Sequence, residues 1–215
     1  LNWYPKLLGY TFRQAVTEKD FEIACSIRHA VYTECGYLDA GEHCENKFYD
    51  KYDDVSVTFL AFYKRTPIGT IRLTNTRYGS PVFDHFNIIN AEALMSEACW
   101  EIGRFAVLEE YRKSRRFASV GLIGICYYYS LGNDIHRWVG YGLHYILKSF
   151  MLFTKPETLP LGVLSEAHLE ARQVLSGYFH KHGDHLVVFS INITETKPWR
   201  ALGYHLKNLI SRTDE

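Results

Sequence analysis

The densest pattern in this 215-residue chain is the stretch Trp100-Glu101-Ile102-Gly103-Arg104-Phe105-Ala106-Val107, which leads through Leu108-Glu109-Glu110-Tyr111 into the basic run Arg112-Lys113-Ser114-Arg115-Arg116. Its composition predicts a β-strand over 100–107, and Gly103 inside it indicates a bulge. From about residue 114 the apolar spacing becomes helical. Cations at the start of that helix, together with its free backbone N–H groups, predict an anion site, and a solvated basic turn is the alternative.

The segments on both sides predict strands that alternate with helices. Thr17-Glu18-Lys19-Asp20 has the spacing of a capping box and opens a helix of roughly 17 residues. Residues 55–63 and 68–74 predict a hairpin. Further strands are predicted over 137–142 and 186–193, and further helices over 143–153, 165–180 and 197–211. Helices must then cover both faces of a central sheet, so we expect an α/β (α+β) fold that forms one domain over residues 1–215.

The composition excludes several classes of function. The chain has 24 Lys+Arg against 24 Asp+Glu, so it lacks the net positive charge typical of nucleic-acid binders, and no nucleic-acid partner is expected. Five Cys without a C-x-x-C pair argue against a disulfide framework or a zinc ribbon and favour the cytoplasm. The longest apolar run, over 120–129, is too short for a transmembrane segment. The spacing His180-x-His182-x-x-His185 is typical of a solvated helix end, so no metal site is predicted.

The strand, turn and helix over 100–118 resemble the GNAT acyltransferase superfamily. There the turn after the fourth strand binds the acyl donor through a Q/R-x-x-G-x-G/A motif. The resemblance implies a mixed, mostly antiparallel central sheet, flanked by helices and splayed at the strand that ends near Val107. It implies that the phosphopantetheine of the donor is bound by Lys113, Ser114, Arg115, Arg116, Phe117 and Ala118. Because Arg116 stands where the family has its first glycine, the single phosphodiester of an acyl carrier protein fits better than the pyrophosphate of acetyl-CoA.

A more specific resemblance, over residues 28–107, is to the autoinducer (acyl-homoserine lactone) synthases and, more closely, to the long-chain N-acyl amino acid synthases that share their fold. The residues that carry it are Arg28, Tyr32, Tyr37, Asp50, Asp53, Gly69-Thr70-Ile71-Arg72-Leu73 and Glu101-Ile102-Gly103-Arg104-Phe105-Ala106-Val107. Autoinducer synthases have an E-x-S-R-F-A-V string and usually a Trp where this chain has Tyr37. Gly103 in place of the serine, together with Tyr37, argues against S-adenosylmethionine as the acceptor.

The resemblance implies a bacterial N-acyltyrosine synthase, which moves a long acyl chain from acyl carrier protein to the α-amine of an amino acid, most characteristically tyrosine. No permanently bound cofactor is implied; phosphopantetheine of the carrier protein is the donor, with acyl-CoA as the alternative. The basic run 112–116 could dock an acidic carrier protein. An acyl-homoserine lactone synthase and a non-catalytic acyl-carrier or lipid-binding module remain alternatives, and a general acetyl-CoA transferase is a further one.

The chemistry of this reaction gives roles to particular residues. A thioester is attacked by a neutral amine, so the reaction needs a base, and Glu101 is the best-placed carboxylate. Backbone N–H groups around Val107 could bind the developing oxyanion. The carboxylate of the acceptor needs a cation, for which Arg28, Arg72 and Arg104 are the candidates. The full substrate-binding set comprises Arg28, Tyr32, Tyr37, Asp53, Arg72 and Arg104.

Two alternatives stay open for the charged residues. Strict alternation along the strand puts Glu101 and Arg104 on opposite faces, so they can line one pocket only if Gly103 bulges. The arginines could instead form structural ion pairs with the acidic residues near position 50, and Glu101 could orient an arginine rather than act as the base. Aromatic residues make up 15% of the chain, and we expect part of this surplus to line a substrate groove.

Overall fold

The computed structural model describes residues 9–38, 46–112, 117–144, 147 and 155–194. The strands in chain order are β1 Tyr10–Gln14, β2 Ser56–Tyr63, β3 Thr66–Asn75, β4 Cys99–Val107, β5 Arg137–Leu143, β6 Glu157–Thr158 and β7 Leu186–Asn192. They form one sheet in the order β1-β2-β3-β4-β5-β7-β6. β4 and β5 pair in parallel and the other described pairs are antiparallel. The predicted mixed, mostly antiparallel sheet is confirmed.

Helices lie on both faces of the sheet. They are α1 Glu18–Glu34, α2 Pro81–His85, α3 Glu109–Arg112, α4 Phe117–Leu131, α5 Glu166–Gln173 and α6 Ser176–His182. Phe59 of β2 belongs to the apolar core under α4 and its neighbour Leu60 to the core under α1, so the two helices cover opposite faces. Within the described ranges no helix combines the length and the apolar character that crossing a membrane requires.

Local sequence signals explain where α1 begins. The Thr17 hydroxyl accepts a hydrogen bond from the Asp20 backbone N–H at 3.2 Å, and the Asp20 carboxylate accepts one from the Thr17 N–H at 3.3 Å. This is the predicted capping box, which supplies partners for N–H groups that a helix leaves unpaired. The predicted hairpin is also confirmed, as β2 and β3.

Packing overrides the sequence pattern at two places. The single helix predicted over 165–180 is wrong: it divides into α5 and α6, and a Cβ at Gly177 would lie 2.6 Å from the Gly36 carbonyl oxygen. α6 therefore packs directly on the turn that follows α1. β1 was not predicted, and its Phe12 occupies the space above Gly121 of α4, where a Cβ would lie 2.0 Å from the ring. The predicted helix over 143–153 lies largely, and that over 197–211 entirely, outside the described residues.

The sheet opens between β4 and β5. Their pairing covers the first residues of each strand, Cys99 with Arg137, Trp100 with Trp138 and Glu101 with Val139. Beyond this point β4 stays paired with β3 as far as Val107, and β5 stays paired with β7 as far as Leu143. The two strands therefore diverge, which confirms the predicted splay near Val107 and leaves a gap in the middle of the sheet.

Candidate active site

A β-bulge in β4 turns Glu101 and Arg104 to the same face of the sheet. The pairing of β3 with β4 shifts between Thr70 and Arg72, and β4 carries the extra residue. Arg104 has a left-handed backbone with φ of 49°, which costs a non-glycine residue about 1–3 kcal/mol. The bulge thus lies one residue beyond the predicted Gly103. Both side chains face the side of the sheet that α1 and α2 cover.

Asp50 joins two of the three arginines on this face. Its Oδ1 accepts a hydrogen bond from Arg72 Nη1 at 2.8 Å, and its Oδ2 accepts from Arg104 Nε and Nη2 at 2.8 and 2.6 Å. Asp53 Oδ1 accepts from Arg28 Nη1 at 2.7 Å and from Arg72 Nη1 at 2.9 Å. These five side chains form one continuous set, the ion-pair cluster. Both Asp50 and Asp53 therefore pair with the arginines, as the structural ion-pair alternative predicted.

Burial and charge act against each other in the ion-pair cluster. Arg28 and Arg72 are each 1% exposed and Arg104 is 9% exposed. Burial by itself raises the pKa of Asp50, but Arg104 and Arg72 outweigh it and the pKa is lowered. The pKa of Asp53 is lowered in the same way, burial being outweighed by Arg28 and Arg72. Two carboxylates therefore remain charged beside three guanidinium groups, and the excess positive charge favours an anion nearby.

Glu101 lies in this positive field and is fixed by the first turn of α2. Its Oε2 accepts a hydrogen bond from the Val82 backbone N–H at 2.8 Å, and the residue is 2% exposed. Burial raises the pKa of Glu101, although the Val82 N–H, Arg72 and Arg104 act in the opposite direction. A carboxyl group with a raised pKa is a stronger base, as general base catalysis near neutral pH requires.

The other oxygen of Glu101 lies above Gly103. A Cβ at Gly103 would be only 2.7 Å from Oε1 of Glu101. The absence of a side chain at this position therefore gives the carboxylate its room. This supplies a physical role for the glycine that replaces the serine of the autoinducer-synthase string.

Aromatic side chains from several elements surround the same face. The members of this aromatic cluster are Tyr32, Tyr37, Phe48, His85, Phe86, Tyr141, Tyr178 and Phe179. The Tyr37 and Tyr178 rings lie 4.6 Å apart, and the Arg104 guanidinium lies 5.1 Å from the Phe48 ring centroid. Tyr32 and Tyr37 were predicted here; the other members come from later elements or are unremarkable in the sequence.

The end of β4 presents a backbone donor to the gap. The Leu108 N–H donates to the Ile68 carbonyl on β3 at 2.9 Å. Successive N–H groups of a strand point to opposite edges, so the Val107 N–H points toward the open edge beside β5. The Val107 carbonyl accepts a hydrogen bond from Arg112 Nε at 2.6 Å, and the same guanidinium binds both oxygens of Glu34 at 2.8 Å.

The predicted donor-binding motif divides into two parts. Lys113, Ser114, Arg115 and Arg116 lie outside the described residues. Phe117 packs against the Tyr10 ring at 5.5 Å, and Ala118 is 1% exposed in the core under α4. The side chains of these last two residues are therefore directed into the core, so of these two residues only the backbone N–H groups could face a phosphate.

Solved structures share this fold. The acyl-homoserine lactone synthase LasI matches with a TM-score of 0.64 and 17% identity, over 90% of this chain and 93% of that chain. BjaI, a CoA-dependent acyl-homoserine lactone synthase solved with SAM and isopentyl-CoA, matches with a TM-score of 0.62 and 19% identity, over 89% of this chain and 82% of that chain. FeeM, an N-acyl amino acid synthase from uncultured soil microbes, matches with a TM-score of 0.58 and 15% identity, over 86% of this chain and 92% of that chain. Among curated protein sequences, none matches.

The fold is that of the autoinducer-synthase-like acyltransferases. A family model described as N-acyl amino acid synthase FeeM matches residues 24–140, more than half of the chain. The protein belongs to that family. It is therefore an acyl-transferring enzyme, an N-acyl amino acid synthase or an acyl-homoserine lactone synthase.

The position of Gly103 gives a first testable prediction. We expect Gly103→Ala to lower kcat about 10- to 100-fold, because the added methyl group displaces Oε1 of Glu101 and misplacing a reacting group by about 1 Å can cost that much. The melting temperature should change little, since the atom that gives way is the end of a flexible side chain. Gly142→Ala on β5 is the matched control, because a Cβ there meets no atom of the described residues within 4 Å. Steady-state kinetics of acyl transfer test this, and a Gly103→Ala enzyme with wild-type kcat would show the expectation to be wrong.

Proposed function

We propose that this protein transfers a long-chain fatty acyl group from acyl carrier protein to the α-amine of an amino acid, with tyrosine as the preferred acceptor. The observation that carries the proposal is the buried carboxylate of Glu101, which α2 fixes beside Arg104 at the opening of the sheet. A base and a cation at one opening suit a substrate that has an amine and a carboxylate on the same carbon.

The reaction follows from these groups. Glu101 accepts a proton from the acceptor amine as the nitrogen attacks the thioester carbonyl and the C–N bond forms. The Val107 N–H stabilises the negative charge that develops on the carbonyl oxygen. The C–S bond then breaks, the amide is released, and the proton passes from Glu101 to the departing sulfur, which leaves as the free phosphopantetheine thiol.

Tyrosine as the acceptor is supported by the aromatic cluster. Tyr32 lies within electrostatic reach of Arg104, and Tyr37 and Tyr178 continue the aromatic surface from it, with ring separations of 6.1 Å and 4.6 Å along the series. Aromatic side chains prefer edge-to-face partners, so a substrate ring would gain packing beyond its buried area. In this proposal Arg28, Asp53 and Arg72 hold the site in shape and Arg104 contacts the substrate.

Acyl carrier protein as the donor rests on the basic run that starts at Arg112 and on the arginine that replaces the first motif glycine. An acidic carrier protein suits such a run, and its single phosphodiester needs less space than a pyrophosphate. We place the reaction in one domain and in the cytoplasm, where carrier-bound acyl chains are available.

One assay separates the candidate reactions. The purified protein is incubated with long-chain acyl carrier protein and an equimolar mixture of amino acids, and parallel reactions contain S-adenosylmethionine as the acceptor or acyl-CoA as the donor. We expect N-acyltyrosine as the main product by mass spectrometry. A homoserine lactone in the S-adenosylmethionine reaction, with no N-acyl amino acid in the other reactions, would overturn the proposal. Turnover with acyl-CoA but not with acyl carrier protein would show that acyl carrier protein is not the donor.

A further inference from the structure

Two polar groups at the opening of the sheet, Nη1 of Arg104 and the hydroxyl of Tyr141, have no hydrogen-bond partner within the described part of the chain. Neither is among the fully buried unpaired polar atoms of the described residues. The carboxylate of Glu101, which the Val82 N–H and the Ser80 side chain hold, lies within electrostatic reach of both. The Arg104 side chain is only 7% exposed, so its one unengaged nitrogen is a donor in a largely buried environment.

Tyr141 is on the same face of the sheet as Glu101. Glu101 pairs with Val139, and side chains two residues apart along a strand point to the same face. The Tyr141 ring is packed by His85 at 5.6 Å, Phe86 at 5.2 Å and Phe179 at 6.3 Å. The ring is therefore held on the β5 side of the gap, across from the β4 side chains that carry the charge.

The other two arginines cannot take the same role. Arg28 and Arg72 use their Nη1 atoms on Asp53, and the nitrogens that they leave unpaired, Arg28 Nε and Arg72 Nε and Nη2, are fully buried. A substrate carboxylate could reach them only if the ion-pair cluster came apart. Among the three arginines of the ion-pair cluster, Arg104 is thus the one with a donor left for the substrate.

We propose that Arg104 and Tyr141 together bind the α-carboxylate of the acceptor, which leaves its amine at Oε1 of Glu101. This inference rests on the proposed function, since it concerns how an amino-acid acceptor is held. Two donors from two strands match the two oxygens of a carboxylate, and hydrogen bonds to an ionised group are the stronger kind. Burial raises the pKa of Tyr141, so its hydroxyl keeps the proton that it donates.

The binding mode has a consequence for specificity. An acceptor without a carboxylate leaves both donors unsatisfied in an enclosed site, which is costly. The enzyme should therefore prefer an amino acid to the corresponding decarboxylated amine. Tyr141 should contribute to that preference specifically, because its hydroxyl touches only the carboxylate.

Tyr141→Phe tests the inference without disturbing the ion-pair cluster, which an Arg104 variant would break. The wild type and the variant are assayed with tyrosine and with tyramine, which lacks the carboxylate. We expect kcat/KM for tyrosine to fall roughly 10- to 100-fold, the range that a hydrogen bond to a charged group supports. The value for tyramine should stay within about two-fold of wild type.

Tyr129→Phe is the matched control, because it removes a hydroxyl from α4, where the ring packs against Phe59 and Trp100 on the opposite face. The Tyr129→Phe substitution should leave kcat/KM unchanged for both tyrosine and tyramine. An active Tyr141→Phe enzyme with the wild-type preference for tyrosine over tyramine, or with equal losses for both, would overturn the inference and leave the proposed function standing. A wild-type enzyme that acylates no amino acid would overturn the proposed function itself.

Discussion

Glu101→Gln should lower kcat for acyl transfer by about 10²- to 10⁴-fold, the usual contribution of a general base. The amide oxygen of Gln can still accept the hydrogen bond from the Val82 N–H that Oε2 of Glu101 accepts at 2.8 Å. The first turn of α2 should therefore stay in place. What the amide cannot do is take a proton from the amine, so the loss should fall on catalysis and not on folding.

The control for this substitution is Glu97→Gln, which makes the same chemical change at an exposed carboxylate on the surface. Its kcat should match wild type. The pH dependence gives a second measurement: burial raises the pKa of Glu101, so wild-type kcat/KM should rise with pH through a value above the ordinary carboxyl pKa of about 4.3. An undiminished kcat in Glu101→Gln would mean that this carboxylate orients an arginine and that the base is another group.

Asp50→Asn should lower the free energy of unfolding by about 3–5 kcal/mol, the cost of removing one partner from a buried ion pair. Asp50 accepts hydrogen bonds from both Arg72 and Arg104. Without its charge, three guanidinium groups would share the single carboxylate of Asp53. Asp54→Asn is the matched control, since Asp54 is an exposed carboxylate next to the cluster. Its unfolding free energy, measured by urea denaturation, should match wild type.

The difference between wild type and Asp50→Asn should depend on pH. The folded-state pKa of Asp50 is lowered, so its stabilisation is fully present above the unfolded pKa of about 3.9 and is lost as the pH falls toward the folded value. The difference in unfolding free energy between the two proteins should thus be largest near neutral pH and should be smaller at about pH 3. A gap that is small at pH 7, or that does not change with pH, would show that the ion-pair cluster stabilises the fold much less than its burial indicates.

Features set by neighbouring residues could be predicted from the sequence. The capping box at Thr17 and the turn between β2 and β3 depend on contacts over a few residues, so the residue types predict them. The strand over 100–107 and its glycine also predict a bulge, although its exact position, at Arg104, depends on pairing with β3. Glu101 and the three arginines could be selected as candidate site residues from the sequence by another route, a resemblance to known acyltransferases.

Contacts between distant parts of the chain could not be predicted. Arg104 and Asp50 are 54 residues apart and Arg28 and Asp53 are 25 apart, so only the fold shows which carboxylate each arginine binds. Tyr141 has no signal of its own, since one tyrosine in a strand is typical of a core position. Its place beside Glu101 follows from the parallel pairing of β4 with β5, which no local pattern indicates.

The extra residue in β4 matters because it adds one to the number of residues in the strand, whichever amino acid it is. Up to Gly103, odd-numbered residues of this strand face α1 and α2; after the bulge, even-numbered residues such as Ala106 do. Deleting one residue here would restore simple alternation and rotate either the Glu101 carboxylate or the Arg104 guanidinium through the sheet, into the core under α4. Among homologous chains, the segment between the glutamate and the end of the strand should therefore tolerate substitutions but not the insertion or deletion of one residue. The constraint is on whether the number of residues is odd or even, so a comparison of residue types alone would not show it.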